Sequence, residues 1–158
     1  MAIDPTSLET LEHLAGLTEH LLVNNDITAL ITQPAPGKWS PLQIAAHIVS
    51  YQPTFASRLN RILTEDNPSF ERYNAANDEL FTKLSGCTVA ELIEHQHLYR
   101  RELKTLLTGL NDEQLARTGS HTLHGSLTIP MWLEFFMLHE SHHIFKMFEL
   151  LHNEDEHH

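Results

Sequence analysis

The chain has 158 residues, 41% of them hydrophobic, which suits one domain around a single core and argues against disorder. Its 21 Asp and Glu against 10 Lys and Arg leave a formal charge of −11, the wrong sign for nucleic acid or an anionic membrane surface. Cys87 stands alone, so neither an internal disulfide nor a thiolate metal cluster can form, and a reducing cytoplasm is the expected setting.

Met1-Ala2-Ile3-Asp4-Pro5 has neither a basic nor an apolar leader region, so no secretory signal is expected. No run approaches the roughly 18 apolar residues of a membrane span. One domain over residues 1–152 is expected, followed by a disordered polar tail over 153–158.

Thr6-Ser7-Leu8-Glu9 reads as a capping box, and the leucine spacing predicts a first helix from Thr6 to about Ile31. Gln33-Pro34-Ala35-Pro36-Gly37 breaks the chain. Ser40-Pro41-Leu42-Gln43 then starts a second helix, with Ser40 as N-cap, Pro41 at a position that needs no N–H, and Gln43 closing the box. Ile44, Ile48, Phe55, Leu59 and Ile62 give it a core face. His47 borders that face, and Tyr51 and Arg58 lie on the same side, where they could orient an anionic substrate group. Pro53 falls inside this helix and frees the carbonyl of Val49, so a kink is expected.

From Thr64 to Gly86 the periodicity weakens, with a short helix between Asn74 and Leu84 extending the next one. Thr88-Val89-Ala90-Glu91 is another capping box, opening a third long helix that ends near Gly109. On it Arg100, Arg101 and Lys104 alternate with Glu94 and Glu102 and read as a solvated face. Asn111 to Leu115 predicts one helical turn, Gly119 to Thr128 a loop or tight hairpin, and Thr128 to Leu151 the last helix. Four long helices in one domain make an all-α four-helix bundle.

The last helix carries His139-Glu140-Ser141-His142-His143. On a period of about 3.6 residues, Trp132, Phe136, His143, Met147 and Leu150 share a face with His139. Two imidazoles one turn apart inside an apolar stripe need partners, either a carbonyl for each or one divalent ion for both. His47, from a separate helix, is the candidate third ligand, and His142 is offset from the pair. Three protein ligands leave a position open for water or substrate, and imidazole suits zinc, nickel or iron(II). His139-Glu140-x-x-His143 also fits the zinc-protease motif, with Glu140 as base. Only fifteen residues follow His143, however, and Lys146 stands where the extended motif wants glycine. Met137, Ile144, Phe145 and Phe148 lie away from His139, so this helix is apolar almost all round. The expectation is a homodimer with this helix near the interface; the alternative cover is residues 64–86.

Gly37-Lys38-Trp39-Ser40-Pro41-Leu42-Gln43-Ile44-Ala45-Ala46-His47 and Leu138-His139-Glu140-Ser141-His142-His143 resemble the DinB superfamily, in particular its YfiT-like hydrolases and bacillithiol S-transferases. The resemblance runs through essentially the whole chain in helix order and departs at Ile144-Phe145-Lys146. It implies an up-down-down-up bundle, often dimeric, with a divalent ion on His47, His139 and His143. A small-molecule substrate and a low-molecular-weight thiol cosubstrate follow from it as expectations. The competing expectation is a non-catalytic, stress-associated helical dimer whose histidines are structural.

Overall fold

Asp4 and Pro5, rather than Thr6, start the first helix in the computed structural model, which describes residues 3–152. The Asp4 carboxylate accepts from the N–H of Thr6 at 2.9 Å, and Pro5 takes the first helical position. Helix α1 spans Pro5–Val23 and stops well short of the expected Ile31. Its end is set by asparagines: the Asn24 and Asn25 side chains donate to the carbonyls of His20 and Leu21, both at 2.8 Å, and so compete with further helix. Asp26 then caps a short α2, Ile27–Ile31. Helix α3, Pro41–Thr64, begins with the expected Ser40–Gln43 capping box and continues through Pro53.

A 3₁₀ turn (Ala75–Asn77) and α4 (Glu79–Ser85) follow. Gly86 and the Thr88 capping box separate α4 from α5, Val89–Thr108, so the two are distinct helices. Beyond the single turn α6, Asp112–Leu115, the chain forms a hairpin of β1, Thr118–His121, and β2, Gly125–Thr128. Strand β2 runs directly into α7, Ile129–His152.

Two apolar clusters reveal the directions of the long helices. One holds Leu14, Leu21 and Leu22 of α1, Leu42 to Val49 of α3, Leu92 of α5, and Ile144, Met147 and Leu151 of α7. The other holds Leu11, Phe55 to Ile62, Leu103 and Leu107, and Ile129 to Phe136. α1 and α7 therefore run one way and α3 and α5 the other, an up-down-down-up bundle. α3 packs against both α7 and α5, and α1 against the same two.

Because α3 and α5 are parallel neighbours, the chain between them must return along α3, which is about 36 Å long at 1.5 Å per residue. Residues 65–78 make this return. It is pinned to the hairpin where the N–H of Ser120 donates to the carbonyl of Pro68 at 2.8 Å. Gly119 permits the close pass, since a Cβ there would lie 2.8 Å from both Ile62 and Phe70. The Arg117 guanidinium donates to the carbonyls of Ile62 and Glu65, both at 2.6 Å, closing the end of α3.

Two expectations need correction. Arg100 is not on a solvated face: it is 2% exposed and ion-paired with Glu140. Residues 64–86 do not cover the outer face of α7 either, because Leu138, Phe145 and Phe148 are exposed there. The tail over 153–158 lies outside the described residues. No described helix is long and apolar enough to cross a membrane.

Candidate metal centre

His47 sits in the second turn of α3, while His139 and His143 are one turn apart near the middle of α7. Antiparallel packing of α3 on α7 brings the three rings together. The Nε2 of His143 lies 3.1 Å from Nε2 of His47 and 3.2 Å from Nε2 of His139. All three donor atoms fall within 4.8 Å of one another. Two nitrogens bound tetrahedrally to one ion at about 2.1 Å would sit roughly 3.4 Å apart, so the donor set fits a divalent cation with little adjustment.

The rings are also in the right protonation state. Burial, followed by the nearby His139, lowers the pKa of His47 to about 4. Burial and then the charges of His47, His139 and His142 lower that of His143 to about 3. His139 is lowered too, first by burial and then by His142. Near neutral pH the triad is therefore three uncharged imidazoles, the form that donates a lone pair to a metal.

That state has a cost in acid. The unfolded chain takes up these protons near pH 6.5, while the folded metal-free chain refuses them until about pH 4 and about pH 3. Folding is thus unpenalised above about 6.5 and loses stability as the pH falls below it. Thermal melts of metal-free protein from pH 7.5 to 4.5 are expected to show a falling midpoint, with a shallower fall in His47→Ala.

The triad forms the floor of a cleft of about 770 Å³. Tyr51 and Arg58, the expected substrate-binding residues, line the same cleft. Arg58 Nη1 donates to the Tyr51 hydroxyl at 3.2 Å, and Nη2 to the carbonyl of Glu71 at 2.8 Å. The Tyr51 ring stands 5.5 Å from that of His139, and burial raises its phenol pKa.

Several wall residues were not anticipated. Trp39 lies 5.1 Å from the His47 ring, and Tyr73 stacks on it at 5.6 Å while donating to Asp78 Oδ2 at 2.6 Å. Burial and this hydrogen bond hold the Tyr73 phenol protonated. Phe70 and Arg72 arrive on the return segment, and His121 and His124 on the hairpin. The available signal was Phe70-Glu71-Arg72-Tyr73 itself, two aromatics in a stretch with no helical period to explain them.

Glu140, the expected base, is the exception. It is 3% exposed, points behind the triad, and pairs with Arg100, which also donates to the carbonyl of Leu11 at 3.0 Å. It reaches only a void of about 10 Å³ shared with the triad, room for about one water. Burial raises its pKa, opposed by Arg100. The reason is helical phase: a residue adjacent to His139 is turned just over a quarter of the way round α7, here toward α5. His142 is exposed and outside the cleft, in keeping with its offset.

Solved structures share the architecture. YfiT from Bacillus subtilis, described as a probable metal-dependent hydrolase with an unusual four-helix bundle topology, superposes with a TM-score of 0.78. It is 22% identical, over 92% of this chain and 83% of that one. A mycothiol-dependent maleylpyruvate isomerase gives 0.71 at 12% identity, covering 90% of this chain and 59% of its own. A DinB-like protein from Bacillus cereus gives 0.62 at 17% identity, covering 97% and 94%. At these identities the likeness is one of fold. No curated protein matches the chain. The DinB superfamily model does, over residues 9–145, and the chain belongs to that superfamily.

Proposed function

We propose that the chain is a metal-dependent enzyme acting on small molecules, with His47, His139 and His143 holding one divalent ion (zinc, nickel or iron(II)). The observation that carries this reading is the convergence of three neutral Nε2 atoms at the floor of a large cleft. A closed structural site would have no such access. When bound, the ion supplies Lewis acidity and lowers the pKa of a water or thiol at its open position.

The protein residues do the rest. Trp39 and Tyr73 wall the His47 side and exclude bulk water, while Tyr51 and Arg58 hold an anionic substrate group. The sequestration of Glu140 removes the base that a hydrolase would draw from that position. We therefore favour the S-transferase version, in which a low-molecular-weight thiol is itself the nucleophile, over the hydrolase. The likeness to a mycothiol-dependent isomerase agrees with a thiol cosubstrate and that to YfiT with a hydrolase, so the choice rests on Glu140. The free Cys87 agrees with the reducing cytoplasm we assign. Leu138, Phe145 and Phe148, 72%, 58% and 47% exposed on the outer face of α7, support a homodimer through that face.

A panel of small electrophiles tests the reading, assayed with zinc-loaded and metal-free protein, with and without added thiol. Metal- and thiol-dependent turnover is the expected result. Metal-dependent turnover without thiol would establish the hydrolase version. No turnover in any arm would return the chain to the non-catalytic dimer.

A further inference from the structure

The end of the cleft away from the triad contains an arrangement that metal binding does not explain. In a chain where 21 carboxylates face 10 Lys and Arg, a half-buried arginine would be expected to find a carboxylate. Arg58 does not: among the described residues no ion pair includes it. Its guanidinium is instead fixed by the Tyr51 hydroxyl and the carbonyl of Glu71, neither of which neutralises it, and lies 5.3 Å from the centre of the Phe70 ring.

His121 shares this end of the cleft. Its Nδ1 accepts the backbone N–H groups of Leu123 at 3.0 Å and His124 at 3.2 Å. In the neutral ring the proton must then sit on Nε2, which leaves His121 a donor. Burial, the neighbouring His124 and the Arg58 charge all lower its pKa and keep it in that form. The ring is positioned by Phe135 at 4.9 Å and Trp132 at 5.6 Å. These two anchors lie four and seven residues before His139 on α7, about 6 and 10 Å along the axis.

We infer that Arg58 and His121 form a carboxylate subsite in this cleft, apart from the histidine triad. Together with the aromatic walls Trp39, Phe70, Tyr73, Trp132 and Phe135, it selects a substrate bearing a carboxylate on a planar or apolar body. The reactive atom of that substrate lies at the triad, in the same cleft as the carboxylate. The substrate assignment rests on the triad being the reactive centre; carboxylate binding itself does not need the metal.

The test therefore uses binding to the full chain, metal-free and zinc-loaded. Trp39 and Trp132, the only two tryptophans, both line the cleft and report by fluorescence. Phenylacetate is expected to bind about tenfold more tightly than phenylacetamide, as a charge-assisted contact requires. Arg58→Gln should erase that preference. His121→Phe should weaken phenylacetate several-fold, and His121→Gln, which keeps an N–H donor, should recover it. Zinc affinity should be unchanged in all three, whereas His139→Ala should lose zinc and keep the preference. Equal binding of acid and amide, or an undiminished preference in Arg58→Gln, overturns the subsite. So does a preference that appears only with zinc and vanishes in His139→Ala, because the carboxylate would then be a metal ligand. Failure of the wild type to bind zinc would instead sink the metal reading, with the acid-over-amide comparison still deciding the subsite.

Discussion

His143→Ala is expected to abolish the divalent-ion binding we propose for the triad. The Nε2 of this residue is the middle member of the triad, within 3.2 Å of both other donors, so its loss leaves two ligands on separate helices. Loss of a group merely hydrogen-bonded to a ligand typically costs 10–100-fold in metal affinity, so removal of a ligand should cost at least about 100-fold. Stability follows by linkage. Wild-type protein at a free zinc concentration about 1,000 times its dissociation constant gains roughly 4 kcal/mol, which in a domain of this size raises the melting temperature by on the order of 10 °C. His143→Ala should show almost none of that rise, while His142→Ala, exposed on the same helix, should show all of it. Elemental analysis and thermal melts with and without zinc decide the matter. A normal zinc-induced shift in His143→Ala would mean that the metal binds elsewhere.

Glu140→Leu is expected to be among the most damaging substitutions in the core. The Glu140 carboxylate and the Arg100 guanidinium are 3% and 2% exposed, and removing one leaves the other charge buried without compensation. Breaking such a pair costs about 3–5 kcal/mol, a large share of the 5–15 kcal/mol that holds a typical domain folded. Replacing both, Glu140→Leu with Arg100→Met, should recover much of the loss, because apolar residues of similar volume have no desolvation debt. Urea denaturation of the two singles and the double measures this coupling. The series also separates structure from chemistry: a catalytic base would abolish turnover in Glu140→Gln at near-normal stability, and the double variant could not restore it. Recovery of zinc binding in the double variant would place Glu140 among the residues that hold α7 against α5.

Much of the architecture was legible because it rests on local rules. The Ser40 and Thr88 capping boxes each announce a helix within four residues, and both are present in the structure. The histidine triad was legible for a related reason: the i, i+4 spacing of His139 and His143 fixes their common face, and His47 borders the core face of a separate helix inside the motif that resembles the DinB superfamily. Long-range features were not legible in this way. The fate of Arg100 depends on Glu140, forty residues away, and its neighbours Glu94 and Glu102 make it look solvated. The end of α1 turned on whether Asn24 and Asn25 would bond back to the helix, which leucine spacing cannot reveal. The cleft walls were hidden most deeply. Phe70 and Tyr73 belong to a segment with no period, and their placement follows from the path between helices rather than from any residue within it.

That path has a further consequence. Two parallel neighbours oblige the backbone to make a long detour, and here the detour passes over the mouth of the chamber with Phe70, Arg72 and Tyr73 facing in. The three imidazoles, by contrast, sit on helices that also pack directly on each other. Exposed positions of this stretch, Glu71 and Arg72 among them, can therefore change which molecules are admitted while the buried Phe70 and Ala75 keep it seated on the core. Exchanging those exposed positions between related bundles should transplant selectivity and leave the chemistry behind.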